Sequence, residues 1–191
     1  MKLVWVKYLS LPEFGTKNVG HKLKDNDTVE SIKIRTAQPQ DTARCYQIEI
    51  TAYEGDEAAT EAKIAKRIAT YPEGFLVLET PEGITGFINC GCAYDVVMSD
   101  EEFKELIGHD PEAPNVVIMS VVVDPDFQGK GYSSVLMKAF IKHMQALGKK
   151  TIHLMCKQRH IGLYEKFGFV YVKQSESDHG GMSWHEMVMD I

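Results

Sequence analysis

A glycine-rich segment in the second half of the chain has the residue types and spacing of a phosphate-binding turn. It reads Gln128, Gly129, Lys130, Gly131, Tyr132, Ser133 and Ser134. The apolar stretch 116–123 precedes it and ends at Asp124-Pro125, where proline cannot donate to a sheet ladder. A helical pattern follows the glycines. Strand, turn and helix N-terminus in this order direct N–H groups and the positive end of a helix dipole at one point, which favours an anionic phosphate.

The spacing of this turn differs from that of two more common nucleotide-binding loops. A Walker A loop ends in Gly-Lys-Ser/Thr, whereas Gly131 follows Lys130 here. A Rossmann turn has the pattern Gly-x-Gly-x-x-Gly, and the third glycine position, counted from Gly129, is Ser134. An ordinary strand–turn–helix connection without a ligand is the alternative interpretation.

A second candidate for chemistry is Tyr164, about thirty residues further along the chain. The segment 163–169 reads Leu-Tyr-Glu-Lys-Phe-Gly-Phe, which predicts a short helix that ends at Gly168. A phenol is protonated at neutral pH and is able to serve as a general acid. A packed core tyrosine is the alternative interpretation of this residue.

The elements that position these residues alternate between strands and helices, which predicts an α/β fold. Strands are predicted over residues 31–35, 74–80, 84–98, 116–123, 150–156, 169–173 and 182–191. Helices are predicted over residues 39–53, 58–70, 101–107, 130–147 and 161–167, and Gly148 has the position of a left-handed C-cap. We expect residues 31–191 to form one domain and residues 1–30 to be an N-terminal extension.

Composition and charge limit the classes of function. The chain has 191 residues, 44% hydrophobic and 25% charged, as in a soluble globular domain. A net charge of −6 argues against nucleic-acid binding and is compatible with a cationic substrate. No apolar run reaches membrane-spanning length, so no membrane association and a cytoplasmic location are expected. The cysteine spacing predicts neither a disulfide framework nor a metal site, and Cys90 and Cys92 are predicted as small core residues on one strand face.

Together the two motifs resemble those of the GNAT N-acetyltransferase superfamily. Its acetyl-CoA pyrophosphate loop reads Gln/Arg-x-x-Gly-x-Gly/Ala after a Val-x-Pro strand end, and residues 128–133 with Val123 and Pro125 are similar to it. Ser133 takes the place of the last small residue. A tyrosine on a short helix that ends in Phe-Gly-Phe is the other signature. The resemblance implies acetyl-CoA as cosubstrate and a mostly antiparallel mixed sheet of about seven strands, splayed between the fourth and fifth, with helices on both faces.

Further segments resemble the arylalkylamine (serotonin) N-acetyltransferase branch of that superfamily. They are Met155-Cys156, the acidic helix 100–106 and the terminal segment 182–187, and the resemblance covers residues 31–191. One departure concerns the fourth strand, where that branch carries two histidines that relay the amine proton. Their places are held by Val117 and Met119, and neither side chain carries a proton. The general base and the arylalkylamine specificity are therefore open.

The resemblance also implies a role for each candidate residue. Acetyl-CoA would be bound by Val121, Val122, Val123, Gln128, Gly129, Lys130, Gly131, Tyr132, Ser133 and Ser134. The three valines would act through main-chain groups, with the Val121 N–H polarising the thioester carbonyl, and Tyr164 would protonate the departing thiolate. Tyr53, Glu54, Val117 and Met119 would border the acceptor pocket.

The base is sought among acidic and imidazole side chains. Glu49, Glu54 and Asp56-Glu57 lie in or beside the break between the first two helices, and a solvated loop is the alternative interpretation of the acidic run. His160 and His185 are the histidines nearest to the expected site, although a structural role is favoured for both.

The leading expectation is acetylation of a small-molecule primary amine by direct attack on the thioester in a ternary complex. Acetylation of a protein or peptide is an alternative within the same fold. A catalytically weak acyl-CoA-binding module is an alternative from another class, which the missing histidines favour and Tyr164 disfavours. Residues 1–30 have two interpretations, an extra edge strand or an oligomer contact such as that of a homodimer.

Overall fold

The computed structural model describes residues 32–53, 58–100, 102–176 and 183–191, and the statements below refer to these ranges. The predicted extension over residues 1–30 lies outside them. Glu54, Asp56 and Glu57 and most of the predicted loop 175–181 also lie outside the described residues.

Within these ranges the chain forms seven strands and four α-helices. The strands are β1 (Lys33–Thr36), β2 (Phe75–Thr80), β3 (Gly83–Ala93), β4 (Asn115–Val123), β5 (Thr151–Lys157), β6 (Val170–Gln174) and β7 (Trp184–Asp190). The α-helices are α1 (Thr42–Ala52), α2 (Glu61–Thr70), α3 (Tyr132–Ala146) and α4 (Ile161–Glu165).

All seven strands belong to one mixed sheet, in the order β1-β2-β3-β4-β5-β7-β6. Neighbouring strands are antiparallel except β4 and β5, which are parallel and are joined through α3. Parallel neighbours need such a crossover because a tight hairpin reverses the chain direction. The predicted α/β fold class, with a mostly antiparallel mixed sheet of seven strands, is confirmed.

The sheet is covered on both faces. Helices α1 and α2 pack against one face, where Ile48 and Ile64 share a buried cluster with Phe87. Helices α3 and α4 pack against the other face, where Leu136 and Tyr164 share the largest buried cluster. Because successive strand side chains point to opposite faces, the apolar runs in β2, β3 and β4 supply both cores.

Several predicted element boundaries are confirmed closely, and three are corrected. Helix α2 begins at Glu61 rather than at residue 58, because Thr60 is its N-cap and accepts a hydrogen bond from the Lys63 N–H at 3.3 Å. Strand β3 ends at Ala93 rather than at residue 98. Its partner β4 begins at Asn115, opposite Ala93, so the ladder stops there.

The third correction concerns the predicted helix 101–107. The described residues form a 3₁₀ helix over Glu102–Glu105, and Leu106 follows with a φ of +58°. A left-handed residue of this kind ends a helix. The predicted C-cap of α3 is confirmed, because Gly148 has a φ of +74°.

The cysteines agree with their prediction as core residues. All four are free and buried, and Cys90 and Cys92 lie together in the core between α3 and the sheet. Among the described helices, none combines the length and the apolar composition that a bilayer-spanning helix needs.

Candidate active site

A cleft opens in the sheet between β4 and β5. In the described chain these strands pair through three consecutive residue pairs, of which Val117 with His153 is the last. Strand β4 nevertheless continues to Val123 and β5 continues to Lys157. The main-chain groups of the later β4 residues on the β5 side are therefore available to a ligand in the cleft.

Strand β4 carries one extra residue just past the point where the cleft begins. Ser120 lies opposite Asn89, whereas Ile118 lies opposite Cys90, so Met119 has no partner on β3. An extra residue of this kind is a β-bulge, which bends a strand and changes the direction of its main-chain groups.

Past the bulge, the direction of the main chain is set by the ladder with β3. Opposite residues of an antiparallel pair alternate between those that exchange hydrogen bonds and those that do not. The Asp124 N–H donates to the Thr85 carbonyl at 2.8 Å, so Val122, two residues back, also faces β3. Val121 and Val123 face the cleft. Of the three valines predicted to act through main-chain groups, Val121 and Val123 therefore have those groups on the cleft side, whereas the main chain of Val122 pairs with β3.

The glycine turn lies at the end of β4. Gly129 and Gly131 each have a φ of +78°, and a Cβ on either would meet no atom within 4 Å. Glycine is favoured at such a φ because a side chain is strained there. Helix α3 begins at Tyr132, and the first N–H groups of a helix have no acceptor one turn back. Open space, the N–H groups at the start of the helix and Lys130 on the exposed side fit an anionic diphosphate.

Hydrogen bonds hold this turn against the strand. Gln128 Nε2 donates to the Val123 carbonyl at 3.2 Å, and the Asp124 carboxylate accepts from the Asp126 N–H at 3.0 Å. Arg44 on α1 pairs with Asp124 at 2.6 Å. The turn is thus fixed relative to both β4 and α1.

Tyr164 lies on α4, directly after β5. Its side chain is fully buried and packs edge-on against Phe169, with ring centroids 5.7 Å apart. It belongs to the same buried cluster as Val121 across the cleft. Tyr164 and Val121, whose main chain faces the cleft, therefore lie in one buried cluster.

Three of the four residues predicted at the acceptor pocket, Tyr53, Val117 and Met119, lie within the described residues. Val117 packs with Met155 and Trp184 in a third buried cluster. Met119 lines a narrow cavity next to this cluster, together with Val97, Met98, Asp100, Phe103, Lys104, Val117 and Ile118. Tyr53 is buried at the end of α1, and Glu54 lies outside the described residues.

Sequence reasoning missed three polar residues on the α1 and α2 face of the sheet. Arg67, Asn89 and Ser120 are 3%, 1% and 0% exposed, and they lie on α2, β3 and β4. The Arg67 Nη1 donates to Asn89 Oδ1 at 3.4 Å, and Ser120 lies opposite Asn89 in the ladder. The available signal was a polar residue between apolar neighbours in the middle of a strand, Asn89 in β3 and Ser120 in β4.

Glu49 lies beside this group, on α1. It is fully buried, and its Oε1 accepts a hydrogen bond from the Ala59 N–H at 3.0 Å. Burial raises the pKa of Glu49 to about 7, although the Ala59 N–H and the charge of Arg67 oppose the rise. Burial also lowers the pKa of Arg67.

The two histidines named as nearest to the site are both buried. Burial and the neighbouring Arg159 and Lys157 lower the pKa of His160 to about 4, so this imidazole is neutral at pH 7. His185 on β7 lies opposite Cys156 and contacts the ring of Tyr171.

Comparison with known proteins gives the same fold. The sequence profile of the acetyltransferase (GNAT) family matches residues 42–169. The uncharacterized N-acetyltransferase ycf52 of Porphyra purpurea is 35% identical over 71 residues, which cover 37% of this chain and 39% of that protein. The chain spans less than half the length of the curated relatives that it matches.

Solved structures agree with the profile. The loading GNATL domain of CurA from Lyngbya majuscula superposes with a TM-score of 0.73 at 14% identity, covering 84% of this chain and 98% of that one. The yncA protein of Salmonella typhimurium, solved with its cofactor acetyl-CoA, superposes with a TM-score of 0.60 at 22% identity. The match covers 83% of this chain and 93% of that one. The two superpositions show a shared fold. With the profile match over more than half of its length, the chain belongs to the acetyltransferase (GNAT) family.

Proposed function

We propose that the chain is an acetyl-CoA-dependent N-acetyltransferase that acetylates a primary amine of a small molecule by direct attack in a ternary complex. The observation that carries this proposal is the cleft that opens past Val117 and His153, with the glycine turn at its end. Such a cleft offers main-chain groups to an extended ligand, and the turn offers N–H groups to its phosphates. Family membership supports the same ligand.

The residues that would hold acetyl-CoA are those of the turn and the cleft-facing strand. The N–H groups from Gly129 to Ser133 would bind the diphosphate, assisted by the charge of Lys130, whereas the Ser134 N–H donates to the Gly131 carbonyl at 3.0 Å. The main chain of Val121 and the Val123 N–H would bind the pantetheine arm, while the Val123 carbonyl accepts from Gln128 Nε2. When bound, acetyl-CoA supplies an activated acetyl group as its thioester.

Two groups of the chain would lower the barrier to transfer. The Val121 N–H faces the cleft and would donate to the carbonyl oxygen of the thioester, an interaction typically worth about 2.7–4 kcal/mol of transition-state stabilisation. The Tyr164 hydroxyl would protonate the departing sulfur, since a phenol still holds its proton at neutral pH. Both residues belong to one buried cluster, which supports a joint role.

The acceptor is proposed to be a cation before it reacts. The sequence between α1 and α2 contains Glu54, Asp56 and Glu57, whose negative charge would attract an ammonium group. Similarity to the arylalkylamine branch supports a small amine. Val117 and Met119 replace its histidines, so an arylalkylamine is one candidate among primary amines.

A catalytically weak acyl-CoA-binding module is the second candidate. The observation in its favour is that Val117 and Met119, both buried and apolar, occupy the positions of the proton-relaying histidines. Such a module would bind acetyl-CoA in the same cleft without consuming it.

An acetyl-CoA assay over an amine panel tests the proposal. The panel contains arylalkylamines, polyamines, aminoglycosides and peptides, and the readout is free thiol. We expect thiol release that depends on the chain and on at least one small amine. Thiol release with peptides alone would favour the protein-acetylating alternative. Tight acetyl-CoA binding by calorimetry without thiol release from any acceptor would favour the binding module.

A further inference from the structure

Four buried polar side chains meet on the α1 and α2 face of the sheet. They are Glu49, Arg67, Asn89 and Ser120, named here the buried polar cluster, and each is at most 3% exposed. They come from α1, α2, β3 and β4. Polar groups in such positions are normally hydrogen-bonded, so their contacts show whether the cluster is purely structural.

One hydrogen bond, one cross-strand pairing and one electrostatic interaction connect the four residues. Arg67 Nη1 donates to Asn89 Oδ1 at 3.4 Å. Ser120 lies opposite Asn89 in the ladder, where side chains on one face are in reach of each other. At the other end, the charge of Arg67 acts on Glu49. Together these connections run from α1 across α2 and β3 to β4.

Each member has a polar atom without a partner among the described residues. The atoms are Glu49 Oε2, Arg67 Nε, Asn89 Nδ2 and Ser120 Oγ. Three of them are donors or hydroxyls, and one is a carboxylate oxygen. A native core contains few such atoms, and four in one cluster indicate a site for solvent or for a polar ligand group.

The buried polar cluster ends at the predicted reaction site. Ser120 directly precedes Val121, whose main chain faces the cleft, and it follows Met119 on the wall of the narrow cavity. The cavity also touches the cluster through Lys104, whose carbonyl accepts from Arg67 Nη2 at 3.2 Å. The cluster therefore connects the acceptor side of the cleft to Glu49.

The charged and titratable groups around Glu49 keep their protonation states near pH 7. Glu49 is therefore the member of this group that exchanges a proton near neutrality. Arg67 on α2 faces it and favours the carboxylate. Cys45 on α1 has a pKa that burial raises to about 12, so it stays a thiol. Tyr53 and Glu105 act on Arg67 and favour its cationic form. On β3 and β4 the cluster residues facing Glu49 are uncharged.

We propose that Glu49 accepts the proton of the acceptor ammonium, relayed through Ser120 and solvent held by the buried polar cluster. The step breaks one ammonium N–H bond and forms one O–H bond on the Glu49 carboxylate, with no change in oxidation state. The neutral amine then attacks the acetyl carbon, and its second proton leaves with the thiol. Glu49 returns its proton to solvent. This inference rests on the proposed amine acetylation.

Two matched amines and one variant test the role of Glu49. The amines are 2-phenylethylamine, which is an ammonium at pH 7, and 2,2-difluoro-2-phenylethylamine, whose fluorines make it far less basic. Glu49→Gln keeps the size of the side chain and removes its basicity. We expect a loss of ~10²–10⁴-fold in kcat/KM for the first amine. For the second, of which a large fraction is already neutral at pH 7, we expect a loss of less than about tenfold.

The controls separate a lost base from a damaged fold. Glu79→Gln, on β2, should leave both rates unchanged. Calorimetry should give the same acetyl-CoA affinity for Glu49→Gln as for the parent. Ser120→Ala, which interrupts the relay without changing a charge, should cost about tenfold with the basic amine and little with the fluorinated one. Equal losses with both amines in both variants would make the cluster structural and overturn the inference.

A measurement on the free protein tests Glu49 without turnover. Carboxyl ¹³C NMR, with Glu49→Gln for assignment, should show Glu49 titrating near neutrality. Titration at the ordinary glutamate pH, about 4.3, would overturn the inference. If the parent acetylates no amine in the panel, the proposed function fails and takes this inference with it. If it acetylates amines and Glu49→Gln loses both rates equally, the inference fails alone.

Discussion

Val117 and His153 form the last residue pair between β4 and β5, and from the next residue onward the two strands run without pairing. This separation places the main chain of Val121 beside open space in the centre of the sheet. The bulge at Met119 sets which residues face that space, because it shifts the alternation of the β4 main chain by one residue. The cleft is therefore a product of strand pairing as much as of side chains.

The first prediction concerns the glycine turn. Gly131→Glu adds bulk and negative charge where the diphosphate would bind, and should weaken acetyl-CoA binding by ~2–4 kcal/mol, about 30- to 1000-fold in Kd. Gly148→Glu is a matched control, because Gly148 has a similar φ and equally open surroundings at the other end of α3. Calorimetry on both folded variants is the measurement. Equal affinity for the two would remove the turn from the binding site.

The second prediction concerns Tyr164. Tyr164→Phe keeps the ring packed against Phe169 and removes the proton, so kcat should fall ~10²–10⁴-fold while acetyl-CoA affinity stays within a few-fold of the parent. The deficit should shrink as pH rises, because the thiol then leaves as a thiolate. Steady-state rates between pH 6 and 9 provide the test. Full kcat across neutral pH would assign the phenol a structural role.

The third prediction concerns pH dependence with a basic amine. Glu49 acts as a base only when ionised, and its pKa of about 7 lies above the ordinary value, so kcat/KM should rise with pH up to about 7 and then level off. In Glu49→Gln the rise should continue toward the pKa of the free amine, since solvent must then take the proton. A profile with the same shape in both proteins would contradict the assignment.

The fourth prediction concerns stability. Arg35 binds both carboxylate oxygens of Asp41, at 2.6 and 3.1 Å, and pairs with Glu79 at 2.9 Å. Burial alone would raise the pKa of Asp41, but Arg35 and the Gln38 N–H outweigh it and hold the pKa below its ordinary value. Asp41→Asn should cost about 1–3 kcal/mol of unfolding free energy at pH 7.

The sign of the shift gives this prediction a pH window. A carboxyl group whose pKa is lower in the folded state than in the unfolded state stabilises the fold. This stabilisation is complete above the unfolded-state pKa and is lost as the pH falls through the folded-state pKa. The difference between the parent and Asp41→Asn should therefore narrow below about pH 4. Glu79→Gln, at a more exposed carboxylate, should cost less than about 1 kcal/mol. Denaturant titrations at pH 7 and pH 3.5 provide the comparison.

The order of strands and helices was predictable from the sequence because long patterns report it. A run of β-branched residues marks β4. A proline and two glycines mark the end of that strand and the turn that leads into α3. The end of β3 was not predictable, because it depends on where Asn115 begins the partner strand. Residues 102–105 form a 3₁₀ helix rather than an α-helix, and the sequence pattern of so short a segment does not separate the two.

The residues of the candidate site could be named from the sequence only where their signal is local. The turn and Tyr164 stand in motifs that can be read along the chain. The direction of the Val122 main chain depends on the bulge at Met119, which leaves the apolar pattern of β4 unchanged. Arg67 looks like a solvent-facing helix residue in the sequence, and only the packing of α2 on the sheet brings it to Asn89.

Transfer of a labelled acetyl group tests the central claim most directly. The chain is incubated with acetyl-CoA carrying ¹³C in the acetyl group and with the best amine of the panel. Mass spectrometry then gives the masses of the amine product and of the intact protein. Direct attack in a ternary complex predicts a labelled N-acetyl amine that forms only with both substrates present, and a protein mass that stays unchanged with acetyl-CoA alone. A labelled protein that passes its acetyl group to the amine, or bound acetyl-CoA that labels no amine, would contradict it.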